Sequence, residues 1–297
     1  MPASFPPDVV VVDSDALIHA RIARGGKAAQ VLQAKSYRLP ANTFTVAVVS
    51  PQLNETALAD TVRRLRAETG RWDRVSVLLP DSWFRINILE LPPLPDSEKE
   101  ADEMVRWSLK RTMPIDPALL RVRYEVLTRT PSHTKVLTIS AMDETLSAME
   151  RVFLAAGIEV VFIEPIGINI WNAITTREPH TSRDRIFFYI RAGEFTTAAF
   201  RGQQPLFIRS RNLNGERTLE QEIRLSASYL RDTLRTDSIE QCYVSGDGVD
   251  AALASVIGSE FGAPVRTVAL SDLLERWPEG VGAYQAELAA CAGVFTS

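Results

Sequence analysis

Val77-Leu78-Leu79-Pro80-Asp81-Ser82-Trp83-Phe84-Arg85, followed closely by Leu89-Glu90-Leu91-Pro92, is the stretch on which the reading of this chain turns. Residues 75–79 read as a buried strand that stops at Pro80-Asp81, because proline fixes its own φ and carries no backbone donor. A second extended segment, 84–91, runs into Leu91-Pro92-Pro93-Leu94-Pro95, which restrains the backbone on both sides and marks a boundary. Upstream, the apolar run 9–12 ends in Asp13-Ser14-Asp15 and is followed by the extended segment 16–22, so a hairpin opens the fold. Segments 30–37 and 44–49 add strand material. Asn54 can then cap a helix with Leu58, Val62 and Leu65 on one face and Gly70 past its end.

Beyond the proline boundary, Asp96 or Ser97 can cap a helix carrying Ala101, Met104, Val105, Ser108 and Thr112 on one face and ending at Met113-Pro114. Strands over 121–128 and 135–140 follow. A helix capped by Asp143 then points Leu146, Met149, Val152 and Phe153 inward and stops at Gly157. This unit, 96–157, is expected to be a small α+β subdomain inserted between the halves of a first lobe formed by 9–91 plus 159–175. After a polar linker near 176–184, residues 185–293 repeat the inventory: three short strands, a long helix over 217–234, and the strand 239–244 leading into Ser245-Gly246-Asp247-Gly248. Repeated topology without repeated sequence is what a duplicated two-lobe α/β fold leaves behind.

Composition narrows the function classes. At 297 residues and 45% hydrophobic content the chain exceeds what one core comfortably serves, so two lobes are expected. A net charge of -4 leaves no broad basic field for a nucleic-acid backbone or an anionic membrane. Cys242 and Cys291 lie in apolar surroundings, as buried thiols of a reducing compartment do. Residues 1–8 lack the basic and apolar regions of a signal peptide, and no window holds the roughly 18–20 apolar residues that cross a bilayer. His19, His133 and His180 fall in unrelated segments without zinc-site spacing.

Few groups are placed to carry chemistry. Asp13 and Asp15 follow a buried strand, where carboxylates can hold hydrated magnesium near a phosphate or simply hydrogen-bond the turn. A phosphate cradle needs exposed N–H groups, which glycine-rich loops supply, and this loop has no glycine. The matching turn of the second lobe is Ile190-Arg191-Ala192-Gly193-Glu194-Phe195-Thr196-Thr197. Thr196 can reach a phosphate there, or serve as an ordinary β-branched strand residue. Gly246 and Gly248 form the most credible ligand loop. Trp107, off the apolar stripe of its helix, is expected with Phe84 and Met113 to line a groove that receives a peptide, the alternative being packing between subdomain and lobe.

From residue 75 onward the chain resembles the type IV pilus assembly protein PilM family and, more distantly, the actin-like cytoplasmic part of type II secretion protein GspL. The resemblance rests on the quoted 77–92 run, then Thr112-Met113-Pro114-Ile115-Asp116, Ala155-Ala156-Gly157-Ile158, Glu164-Pro165, Phe207-Ile208-Arg209-Ser210 and Ser245-Gly246-Asp247-Gly248, in that order. It implies an actin-like (ribonuclease H-like) two-lobed fold. In this family an acid followed by glycine marks the first phosphate loop. Asp13 matches the acid, but Asp15 stands where glycine is expected. Ile190 and Ala192 fall at the acid and glycine places of the second loop. The second lobe is also reduced, since Asn214-Gly215 runs almost directly into the long helix where relatives carry a further subdomain. The implied function is a non-catalytic cytoplasmic platform for a type IV pilus or related secretion machine, binding the N-terminal cytoplasmic tail of a PilN-like inner-membrane protein. The alternative is an ATP-binding or ATP-hydrolysing relative that uses Asp13, Thr196, Gly246 and Gly248, with magnesium on Asp13 and Asp15. No cofactor is expected on the first reading. A sugar-kinase-like enzyme would need a general base and an intact phosphate site, and neither is recognisable.

Overall fold

The computed structural model describes residues 5–13, 15–25, 28–45, 51–113, 115–178, 181–191, 193–213, 217–234, 238–279 and 284–294. Expectations resting on Ser14, residues 46–49, Pro114, His180, Ala192 and Asn214-Gly215 lie outside the described residues. In chain order, β1 (Asp8–Val12), β2 (Ala16–Arg24) and β3 (Ala29–Arg38) form an antiparallel meander. A short pair, β4 (Phe44–Thr45) and β5 (Gln52–Leu53), leads to α1 (Glu55–Thr69), which Asn54 caps by accepting from Ala57 N at 3.2 Å. Strand β6 (Arg74–Leu79) returns parallel to β1.

The inserted unit comprises β7 (Arg85–Leu91), α2 (Glu98–Thr112), β8 (Leu120–Arg129) and β9 (Thr134–Met142); α3 (Asp143–Ala155), read from the sequence as its last element, packs instead in the first-lobe core beside α1. Strand β7, read from the sequence as the end of the first lobe, instead pairs antiparallel with β9 in a three-stranded sheet of order β7-β9-β8. The turn at Asp81–Trp83 redirects the chain, so the partition falls before β7 rather than at the prolines. Asp143 is not a cap either: β9 runs directly into α3, and Asp143 accepts from Arg121 Nε at 2.8 Å.

The chain then re-enters the first sheet as β10 (Glu159–Pro165) and continues into α4 (Ile166–Thr175). The second lobe follows as β11 (Asp184–Arg191), β12 (Glu194–Arg201), β13 (Gln204–Asn212), α5 (Leu219–Leu234), β14 (Ile239–Gly246), α6 (Ala251–Phe261) and β15 (Val265–Thr267). The chain ends in α7 (Leu270–Leu273), β16 (Leu274–Arg276) and α8 (Gln285–Cys291). Strand β16 pairs parallel with β3, so residues read as second-lobe chain complete the first sheet.

The two large sheets have the same wiring. Their orders, β10-β6-β1-β2-β3 and β15-β14-β11-β12-β13, match strand for strand, with β16 added at the far edge of the first. Central strands buried on both faces read as unbroken apolar runs, which Val9 to Val12 illustrate. Val9 and Val11 face a core shared with α4 and α8, whereas Val10 and Val12 face α1 and α3. In β11, Phe187 and Tyr189 face the shared core, and Ile186, Phe188 and Ile190 face α5 and α6. Helices α4 and α8 thus lie between the sheets, where Trp171 stacks on Phe200 with ring centroids 3.9 Å apart.

Candidate functional site: the interlobe cleft and a second groove

Matched wiring places the first turns of the two lobes opposite each other. Asp13 N donates to Ala16 O at 2.8 Å across the two-residue turn after β1, and Arg191 pairs with Glu194 across the corresponding turn after β11. Asp13 and Arg191 therefore hold equivalent positions, so Arg191 rather than Ile190 stands at the acid's place of the second loop, and the two form an ion pair across the cleft. The same guanidinium reaches Asp247 Oδ2 at 2.7 Å, in the turn after β14, and Glu287 Oε1 at 2.7 Å, on α8. Burial pushes the Glu287 carboxyl above its usual range despite the attraction of Arg191.

The residues expected to bind nucleotide are occupied in other ways. Asp13 is buried and bonded to Arg191, while Asp15 is exposed and uses its carbonyl to receive Leu39 N. Thr196 is buried, with its hydroxyl 2.9 Å from Ser210 Oγ. Gly246 is a glycine because β14 passes too close to β11 for a side chain: an added Cβ would lie 1.8 Å from Ile190 O. Asp247 N donates to Ile190 O, so this loop amide is not turned toward an anion. Gly248 has φ +65 and open space around it, the ordinary requirement of a turn. Among the described residues no group of three or more His, Cys, Asp and Glu is arranged to hold a metal ion. Among the described residues, the groups at these two turns and in the loop after β14 are committed to other bonds and do not fit a magnesium-bound triphosphate. Sequence reading missed Arg191 and Glu287, although Arg191 stood in the quoted second turn and Glu287 is a lone acid in an apolar, alanine-rich helix.

Just behind the cleft, Asp81 and Ser82 meet the second lobe. Asp81 Oδ1 accepts from Gly167 N at 2.7 Å, and Ser82 Oγ donates to Glu194. Burial raises the Asp81 carboxyl to about 6, against the bonds from Gly167 and Thr196. Glu194 rises to about 7, mainly through burial and further through the neighbouring Asp81, while Ser82 pulls the other way.

A second cavity lies elsewhere. The three-stranded sheet packs Leu89, Leu91, Leu120, Val122 and Val136 against Val105 and Leu109 of α2. Strand alternation turns Arg121, Arg123, Leu127, Leu137 and Ile139 to the opposite face, where α3 borders the groove and ties down Arg121 through Asp143 and Glu150. That face, β10, α4 and the β12–β13 hairpin enclose a groove of about 820 Å³. Glu164 lines it, its carboxyl raised above the usual range by burial.

Of the three residues expected to receive a peptide, Phe84 lines this groove and also belongs to the first-lobe core. Trp107 and Met113 are not brought there. Trp107 is 62% exposed on the outer side of α2, with Arg111 stacked over it, because Ala101, Val105 and Leu109 take the inward face. Met113 packs at the edge of the cluster under α2. Both belong to the helix-covered side of the sheet, away from the groove.

No protein-family profile matches the sequence, and no curated protein matches it. Among solved structures, a chain of the PilM-PilN type IV pilus biogenesis complex matches with a TM-score of 0.78 at 21% identity, over 96% of this chain and 96% of that one. A Bacteroides thetaiotaomicron protein described as having an actin-like ATPase fold and unknown function matches with a TM-score of 0.56 at 11% identity, over 88% and 90% of the two chains. The cytoplasmic domain of EpsL, an inner-membrane component of the type II secretion system of Vibrio cholerae, gives 0.52 at 12% identity over 98% and 94%. The shared fold is a two-lobed actin-like α/β architecture.

Proposed function

We propose that this chain is a non-catalytic assembly platform of a type IV pilus or related secretion machine, bound to the N-terminal cytoplasmic tail of a PilN-like inner-membrane protein. The carrying observation is the groove on the sheet face opposite α2, in a chain that aligns end to end with a member of a PilM-PilN complex. Leu137, Ile139, Phe162, Ile168 and Ile208 are only partly buried there, so aliphatic side chains of an extended tail would complete their packing. Strand β8 has β9 on one side only, which leaves a ladder edge for main-chain pairing. No helix among the described residues is long and apolar enough to cross a membrane. On this reading the protein lies at the cytoplasmic face of the inner membrane through its partner, and it needs no nucleotide to do so.

Calorimetric titration with synthetic tail peptides tests the reading. Leu137→Arg or Ile168→Arg should weaken binding by tenfold or more, because a desolvated cation would have to enter the groove. Trp107→Ala, on the far side of α2, should leave affinity within about twofold. Failure of every cytoplasmic tail from the pilus inner-membrane proteins to bind the intact protein would overturn the reading.

A further inference from the structure

Three carboxylates from three separate elements converge on one guanidinium. Asp13 belongs to the first lobe, Asp247 to the second, and Glu287 to α8 between the sheets. The Arg191 side chain is 14% exposed, Asp13 7% and Glu287 1%, so most of the cluster is shielded from water and from salt. Removing the guanidinium would leave Asp13 and Glu287 as buried acids without their common counter-ion, a far larger penalty than losing a surface pair.

We propose that Arg191 is a built-in cation that stands in the interlobe cleft in place of a metal–nucleotide complex and holds the two lobes at their closed spacing. Closure is then a property of the sequence rather than of a bound ligand. The equivalence of positions 13 and 191 supports this. Where two acidic loop ends would need an external cation between them, one of these two supplies the positive charge itself. The surrounding loops agree, because Gly246 and the Asp247 amide are committed to Ile190 of the neighbouring strand. One cation among three carboxylates also leaves the cleft negative, which disfavours a polyphosphate. This inference does not depend on the tail-binding reading.

The test is an interlobe distance. Ala67 on α1 and Ser255 on α6 are exposed, one on each lobe. The native thiols are buried, and burial raises Cys242 to about 12 and Cys291 higher still, so they stay silent toward a spin label. In the Ala67→Cys/Ser255→Cys protein, double electron–electron resonance should give one narrow distance that millimolar Mg-ATP does not move. Adding Arg191→Ala should lengthen and broaden that distance and lower the thermal midpoint by roughly 10 °C. Arg191→Lys should restore much of both. An unchanged distance in Arg191→Ala would overturn the inference, as would closure of the parent protein by Mg-ATP. Should Arg191→Ala not fold, Asp13→Asn removes the charge of the first-lobe partner alone. Partial lengthening would then support the clamp, and an unchanged distance would refute it.

Discussion

At Asp81 a carboxyl is enclosed where the two lobes meet, and its folded-state pKa of about 6 lies above the ordinary 3.8. Glu194, at about 7 against 4.5, shifts in the same direction. Between the unfolded and folded values the native state holds protons that the unfolded chain has released, so stability is present at low pH and declines as pH rises. The window runs from about 4 to about 7. Asp81 alone should account for roughly 2–3 kcal/mol across it. The thermal midpoint should therefore be higher at pH 5 than at pH 7.5, and Asp81→Asn should flatten that slope. A midpoint that rises with pH over this range would contradict the assignment. Nothing in the quoted 77–92 stretch announces this behaviour. Pro80-Asp81 reads as a corner, and the enclosure of Asp81 comes from Gly167 and Thr196, far along the chain.

Helices α4 and α8 cross in contact, and the crossing is set by one small residue. A Cβ at Gly293, just past α8, would lie 1.8 Å from Asn169 O, and a backbone oxygen cannot rotate away. Gly293→Ala should lower the denaturant midpoint by an amount equivalent to about 2 kcal/mol, as overpacking typically does. Local patterns made most elements legible, including α1 with its Asn54 cap and β6 with its proline stop. What they left unread was partnership. The proline run made β7 look like the close of the first lobe because chain punctuation is local, whereas its pairing with β9 depends on residues about fifty positions later. The placement of Trp107 failed for a related reason. Helical periodicity showed it to be off the apolar stripe, but not which face of the neighbouring sheet would border the groove. Arg191 was legible only as a turn residue until the two sheets proved to share one order.

For the molecule as a whole, the lobes are joined through α4, α8 and the Arg191 cluster. Calorimetry with Mg-ATP should show binding no tighter than millimolar, and low-micromolar affinity abolished by Asp13→Ala would refute the account of the cleft. Removing residues 268–297 takes away α7, β16 and α8, exposing the β3 edge and opening the core shared by both sheets. The shortened protein should lose cooperative thermal unfolding of the first lobe as well as the second, which circular dichroism would record. Independent melting of an intact first lobe would contradict this.

The same pairing of β3 with β16 fixes an order of events during synthesis. Ala29 meets Leu274 in register, so the first sheet to leave the ribosome cannot be finished until a strand about 245 positions downstream emerges. At about 5–20 residues per second the nascent first lobe waits on the order of 12–50 s with a bare strand edge and without α8 behind it. A chain wired in this way spends that whole interval exposed to edge-to-edge pairing. Its yield in cells should therefore respond more to elongation rate and to chaperones that shield strand edges than its finished stability would suggest.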